Sequence, residues 1–97
     1  MYTVIETEAF MHWLGQIKDR VTQTRLKVRL RKATLGNLGD VKPVGEGVFE
    51  MREFFGPGWR MYYLEKAGAM VFMLGGGDKS SQASDIQRAI KLSKELE

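Results

Sequence analysis

Two arginines and one lysine in the second half of the chain are the side chains best suited to bind a phosphate group. Arg52 and Arg60 flank Gly56-Pro57-Gly58, and Lys79 follows three consecutive glycines. A guanidinium fork matches the geometry of phosphate oxygens, and glycine amides beside a lysine and a helix start can bind an anion. The glycines with Lys79 could hold a phosphate, although a turn is the more frequent explanation of such a triplet, and Arg52 and Arg60 could equally form surface ion pairs.

A second cationic feature is the run from Arg25 to Lys32, in which five of eight residues are basic. Residues 1–36 hold seven Lys/Arg and three Asp/Glu, whereas the formal charge of the whole chain is only +3. Such a concentration indicates a polyanionic partner, and a solvated helix face is an equally good interpretation.

The amino-acid composition excludes disulfide-stabilised proteins and argues against several kinds of metal and catalytic site. A chain of 97 residues forms one domain, and the absence of Cys excludes disulfides and thiolate metal sites. The single histidine, His12, makes a histidine metal site or a Ser-His-Asp triad improbable, and we assign it to a helix surface. We expect no cofactor and no metal. The sequence has no membrane-spanning run and no signal peptide, which indicates a cytoplasmic protein.

The stretch from Val48 to Leu64 predicts a β-hairpin, and the remaining elements are organised around it. Two runs rich in aromatic residues flank the Gly-Pro-Gly loop. Because side chains alternate along a strand, Glu50 and Arg52 share one face of the first strand, and Arg60 and Tyr62 share one face of the second. Which faces coincide depends on the pairing register.

Two helices are predicted before the hairpin. Thr7 is the expected N-cap of the first, whose apolar face comprises Ala9, Phe10, Trp13, Leu14 and Ile17. The second runs from about Val21 to Leu35 and ends at Gly36, although its alternation of basic and apolar residues also fits a strand. As a helix it has two opposed apolar stripes, Leu26/Leu30/Ala33 and Val21/Val28/Leu35. One packs on the domain, and the other needs the first helix or a partner protein.

The remaining segments predict an α+β domain. Tyr2–Ile5 is expected to be a first strand, Val41–Val44 an edge strand, and Ala69–Leu74 a central strand covered on both faces. Gly75-Gly76-Gly77 is interpreted as a turn. A last helix follows, capped by Ser80, Ser81 or Ser84, with Ile86, Ala89, Ile90 and Leu96 on its apolar side. The expected architecture is a small, mostly antiparallel sheet of four to five strands with two N-terminal helices and a C-terminal helix.

Four separated motifs resemble the addiction module killer protein group, a HigB-like branch of the RelE/ParE superfamily of type II toxin–antitoxin toxins. They are Gly39–Val48, Met51-Arg52, Gly56–Tyr63 and Gly76–Gln82 with Asp85-Ile86. The resemblance covers nearly the whole chain in the same order, except that Trp59 stands where the family usually has Tyr. It implies a RelE-like fold and a toxin neutralised by a cognate antitoxin, often a helix-turn-helix protein.

The resemblance also implies a target and a set of residues. RelE-type members cleave mRNA on the ribosome, whereas ParE-type members inhibit DNA gyrase. For metal-free RNA cleavage we expect Arg60 to stabilise the phosphate and the transition state, Arg52 to be a second phosphate contact, and Lys79 to bind phosphate or supply a proton. Lys42 and the basic run (Arg25, Lys27, Arg29, Arg31 and Lys32) are the expected RNA contacts.

Three hypotheses therefore remain from the sequence: an mRNA endonuclease, a gyrase inhibitor, and a relative that only binds its antitoxin. Arg60 and Lys79 favour the endonuclease. Glu50 is a candidate general base. Tyr62 and Tyr63 are expected in the core or at its rim, with base stacking as the less favoured alternative.

Overall fold

The computed structural model describes residues 1–96 and has an α+β architecture. In chain order the elements are β1 (Thr3–Glu6), α1 (Glu8–Gly15), α2 (Arg20–Thr34), β2 (Val41–Gly45), β3 (Val48–Arg52), β4 (Arg60–Lys66), β5 (Met70–Gly77) and α3 (Gln82–Glu95). A single 3-10 turn, Lys79–Ser81, precedes α3. The predicted α+β class, with two helices before the main sheet strands and one after them, is thus confirmed.

The five strands form one mixed sheet in the order β1-β5-β4-β3-β2. β1 pairs with β5 in parallel, and every other pair is antiparallel. The predicted hairpin is β3 and β4, and its register places Arg52 directly opposite Arg60. The predicted edge strand with Pro43 is β2, whose register shifts between Pro43 and Gly45.

Each face of the sheet carries its own core. On one face, apolar residues of α1 and α2 pack on β3, β4 and β5, and the buried members include Phe10, Leu26, Met61 and Met73. On the other face, α3 packs through Ala89 and its neighbours on a second cluster of strand residues that includes Val48, Tyr62, Leu64 and Leu74. β5 is therefore covered on both faces, as its unbroken apolar run predicts.

The basic run folds as a helix and not as a strand. Asp19 caps α2 by accepting a hydrogen bond from the Val21 amide, and the stripe containing Leu26, Leu30 and Ala33 is buried. Thr7 caps α1 as expected, because its hydroxyl oxygen accepts from the Phe10 amide at 3.2 Å. The same hydroxyl donates to the Met73 carbonyl at 2.7 Å and so ties the start of α1 to β5.

The interpretation of Gly75-Gly76-Gly77 as a turn is wrong, because these residues extend β5 and pair with Tyr62, Met61 and Arg60 of β4. A Cβ at Gly76 would collide with the Trp13 ring and lie 2.7 Å from the Arg60 carbonyl oxygen. A Cβ at Gly77 would collide with the Asp85 carboxylate. The glycines therefore let α1 and α3 approach β5 closely, one from each face.

The start of the last helix also differs in detail from the prediction. Ser81 occupies the N-cap position of α3, but its side chain makes no capping hydrogen bond. Its hydroxyl instead donates to Asp85 at 2.5 Å. Asp78 caps the preceding 3-10 turn by accepting from the Ser80 amide. Among the helices of residues 1–96, none is long and apolar enough to cross a membrane.

Candidate phosphate-binding site

Strand register brings two predicted site residues together on the α3 side of the sheet. Arg52 and Arg60 are cross-strand partners, and one pair further along Glu50 lies opposite Tyr62. Lys42 of β2 is paired with Glu50, which places this exposed lysine on the same face. Directly opposed like charges destabilise a sheet unless acids compensate them. The acids here are Asp40 and Glu50.

Arg60 is held by contacts on both sides of its guanidinium. Its Nη1 donates to the Gly58 carbonyl at 2.6 Å, and its Nε lies 3.5 Å from Glu50 Oε2. The Arg60 side chain is 12% exposed and that of Glu50 only 1%. Gln82 of α3 donates to the same Glu50 oxygen at 2.8 Å. Glu50, predicted as a candidate general base, is thus enclosed and positions Arg60.

Arg52 is the more accessible of the two arginines. Its Nη2 pairs with Asp40 Oδ1 at 3.0 Å, in a contact that is partly open to solvent. The hydrogen bond from Arg52 to Asp40 raises the pKa of the guanidinium further above its ordinary value. Its guanidinium carbon also lies 5.7 Å from the centre of the exposed Phe54 ring.

Three buried side-chain atoms in the described part of the chain have no hydrogen-bond partner, and all three belong to this site. They are Arg52 Nε, Arg60 Nε and the Tyr62 hydroxyl. Burial, followed by the nearby negative charge of Glu50, raises the pKa of Tyr62. Tyr62 is therefore neutral near pH 7 and acts as a hydrogen-bond donor, not as a base. Buried donors without partners are rare in folded proteins and mark a place for a ligand or water.

Lys79 reaches the same region through the hairpin loop. Its backbone amide donates to the Pro57 carbonyl at 3.3 Å. A Cβ on Gly58 would lie 3.0 Å from Arg60 Nη1 and 3.5 Å from Lys79 Cβ, so Gly58 lies against both residues. The Lys79 side chain is exposed. The hairpin, β2 and the 3-10 turn thus assemble Lys42, Arg52, Arg60 and Lys79 around one surface.

The basic residues of α2 lie on the opposite side of the sheet, and the prediction of Arg29 as an RNA contact is wrong. Arg29 is buried and donates to the carbonyls of Leu38, Arg52 and Asp40 at 3.1, 2.8 and 2.7 Å. It also forms an ion pair with Glu53. Its guanidinium satisfies backbone acceptors in the loop before β2 and at the end of β3. The remaining basic residues of the run are exposed: Arg25, Lys27, Arg31 and Lys32.

A cavity of about 610 Å³ forms a separate groove between α1 and α3, lined in part by the β5 glycines. His12, Asp85 and Arg88 line this groove, whereas Arg52, Arg60 and Lys79 do not. Asp85 is already engaged by Ser81 and Arg88. Within residues 1–96, no group of three or more His, Cys, Asp or Glu side chains is arranged to hold a metal ion. We therefore locate the candidate site at the arginines and not in the groove.

Sequence reasoning missed Gln82 and left the roles of Glu50 and Tyr62 open. The alternation in β3 and β4 places Glu50 with Arg52, and Tyr62 with Arg60, but only the register shows that all four share a face. Nothing in the local sequence connects Gln82 with Glu50, because the two are 32 positions apart.

Comparison with known proteins gives one relative that covers nearly the whole chain. An uncharacterized protein of Haemophilus influenzae is 39% identical over 90 residues, which span 93% of this chain and 91% of that protein. The chain belongs to the same family as this Haemophilus protein. No family model matches the chain, and no solved structure matches it significantly. The family is thus shown by sequence, and its function has to be argued from the site.

Proposed function

We propose that this protein is the toxin of a type II toxin–antitoxin system, with a RelE-like fold and the activity of a ribosome-dependent mRNA endonuclease. The observation that carries the proposal is the cross-strand pair Arg52 and Arg60 on one face of the sheet, with the exposed Lys79 next to the hairpin loop. A phosphate group accepts hydrogen bonds at several oxygens and carries the negative charge that two opposed arginines need. The motifs that resemble the killer protein group supply the toxin assignment.

In the proposed reaction the ribose 2′-hydroxyl gives up its proton to solvent water, its oxygen attacks the adjacent phosphorus, and the bond from phosphorus to the 5′-oxygen breaks. The products are a 2′,3′-cyclic phosphate and a free 5′-hydroxyl. Arg60, held by Glu50 and Gly58, stabilises the charge on the equatorial oxygens of the transition state. Arg52 binds the phosphate from the neighbouring strand, and exposed Lys79 binds phosphate or donates the proton to the leaving oxygen.

The proposed partners are the ribosome with its mRNA and an antitoxin, the latter a helix-turn-helix protein. Lys42, at the edge of the sheet beside Glu50, extends the cationic surface and contacts the RNA on one side of the cleaved bond. The proposed location is the bacterial cytoplasm, because translating ribosomes are there. The α2 cations lie on the opposite side of the sheet and take no direct part in this chemistry.

Primer extension on a defined mRNA tests the proposal, with the protein added in parallel to translating ribosomes and to naked RNA. We expect cleavage only when ribosomes are present. Absence of cleavage in both, while translation is active, would contradict the endonuclease proposal. A DNA supercoiling assay with gyrase then tests the ParE-type alternative.

The variant Arg60→Ala tests whether Arg60 stabilises the phosphate in the transition state. Removing a preorganised donor from a transition-state oxyanion lowers rates by roughly 10²- to 10³-fold, and we expect a loss of this size. Arg60→Lys is the matched variant. It keeps the charge, but a single ammonium does not reproduce the guanidinium's contacts with both Glu50 and Gly58, so we expect it to stay impaired. A variant with native circular dichroism and full cleavage would remove Arg60 from the mechanism.

A further inference from the structure

Three exposed aliphatic side chains at seven-residue spacing lie on the outer side of α2 and at its C-cap, Leu35, with polar or cationic residues between them. Val21, Val28 and Leu35 are 66%, 45% and 66% exposed. They recur every seven residues, which is close to two helical turns, so the three lie along one line of the helix. The line extends over roughly 21 Å at the usual rise per residue. We call these three residues the α2 stripe.

Positive charge borders the α2 stripe. Arg25 and Lys32 follow Val21 and Val28 by four residues, and Arg31 follows Val28 by three, so these cations are its neighbours on the helix surface. Across residues 1–96, none of the cations on the exposed surface of α2 belongs to an ion pair: Arg20, Arg25, Lys27, Arg31 and Lys32. Arg25 instead stacks on Phe55, 3.7 Å from the ring centre.

This charge pattern weakens the helix that carries it. The α2 sequence contains six Lys/Arg and no acid. Cations four residues apart, such as Lys27 and Arg31, repel each other, and Arg20 lies at the positive end of the helix dipole. A helix surface whose charges lower the stability of the helix, and are not offset by ion pairs within the protein, is typical of a binding surface.

We propose that the α2 stripe binds an amphipathic helix of a partner protein, with aliphatic residues along its centre and Asp or Glu on both sides. Such a helix buries Val21, Val28 and Leu35 and neutralises the flanking cations. A second copy of this chain is a poor occupant, because two cationic faces would meet. RNA phosphates match the cations but leave the aliphatic side chains without a partner. RNA contact by α2 therefore remains the competing prediction.

The proposal does not depend on RNA cleavage, and its test uses binding alone. The probe is a synthetic acidic peptide of three heptads with Leu along its apolar stripe. The matched control peptide has the same charge and Ser in place of Leu. A single-stranded RNA oligonucleotide is the third probe. Fluorescence anisotropy follows each titration with the full-length protein at physiological salt.

We expect saturable binding of the Leu peptide and much weaker binding of the Ser peptide. The triple variant Val21→Ser/Val28→Ser/Leu35→Ser should weaken binding of the Leu peptide by about tenfold or more, because it removes the apolar area that the peptide buries. Lys32→Glu should also weaken it. Met11→Ser, which changes an aliphatic residue of α1 that is 52% exposed, should leave binding unchanged.

Equal binding of the Leu and Ser peptides would overturn the proposal, because charge alone would then explain the interaction. Binding of RNA in place of the Leu peptide, insensitive to the serine substitutions, would assign the surface to nucleic acid. Absence of binding by every probe would also overturn it. If the triple variant loses helicity, Val28→Ser alone carries the test, since that side chain is 45% exposed.

Discussion

At the scale of single residues, Tyr62 is unusual because its hydroxyl is buried without a partner. A buried, unsatisfied hydroxyl costs the folded state about 1–3 kcal/mol. The Tyr62 hydroxyl lies next to Glu50, and its contact with that carboxylate contributes to its raised pKa.

Tyr62→Phe should therefore separate stability from function. We expect the free energy of unfolding to change by no more than about 1 kcal/mol, because the neighbouring Glu50 is also held by Gln82 and Arg60. We expect cleavage in the primer-extension assay to fall at least severalfold, since the Tyr62 hydroxyl lies beside Glu50 and helps to position it against Arg60. Urea denaturation measures the first effect and the ribosome assay the second.

Tyr63→Phe is the matched control for that experiment. Tyr63 is 2% exposed and belongs to the core on the opposite face of the sheet, and burial raises its pKa to about 12. Both phenols are thus neutral near pH 7. Of the two, only Tyr62 lies on the same face of the sheet as Arg52 and Arg60. Equal losses of cleavage in the two variants would show that packing, not the Tyr62 hydroxyl, is responsible.

At the scale of elements, the end of β5 determines how closely the helices approach the sheet. Gly77→Ala should destabilise the fold by about 3 kcal/mol or more, because the new methyl group overlaps the Asp85 carboxylate and must displace α3. Gly75→Ala is the control, since a Cβ there meets nothing within 4 Å. We expect the control to change stability by less than about 1 kcal/mol in either direction.

Thermal or urea unfolding of the two variants distinguishes this explanation from a phosphate-binding role for the glycines. If the Gly75→Ala and Gly77→Ala variants have equal free energies of unfolding, steric contact with α3 does not explain the glycine at position 77. Because α3 also carries Gln82, which holds Glu50, the Gly77→Ala variant should lose cleavage together with stability.

Sequence patterns predicted the elements whose signal is local. The spacing in α1 and α2 and the alternation in the β3–β4 hairpin were sufficient, because each reflects a face that packs on its immediate neighbours. The glycine triplet was misinterpreted because its cause is tertiary: Trp13 and Asp85 approach from elements distant in sequence. Arg29 is predicted to be exposed like the basic residues around it, because the sequence near it does not show its partners. The carbonyls that it binds lie between nine and 23 residues away.

At the scale of the whole molecule, Arg29 joins α2 to the loop before β2 and to the end of β3. Arg29→Met should destabilise the protein by about 3 kcal/mol, because it removes the donor to the Leu38 and Arg52 carbonyls and to the Glu53 carboxylate, whereas the Asp40 carbonyl still accepts from the Arg52 amide. Lys27→Met, on the exposed face of the same helix, should change stability by less than about 0.5 kcal/mol. Chemical denaturation compares the two, and equal stability would contradict the structural role of Arg29.

Because β1 pairs with β5 in parallel, the sheet cannot be completed until late in the synthesis of the chain. Thr7 at the start of α1 finds its partner, the Met73 carbonyl, 66 residues later. At roughly 5–20 residues per second, that partner is synthesised about 3–13 s after Thr7 itself. During this interval the apolar sides of α1 and α2 lack β5, the strand that joins β1 to the rest of the sheet. The nascent chain is therefore most vulnerable to aggregation and proteolysis before its fifth strand emerges.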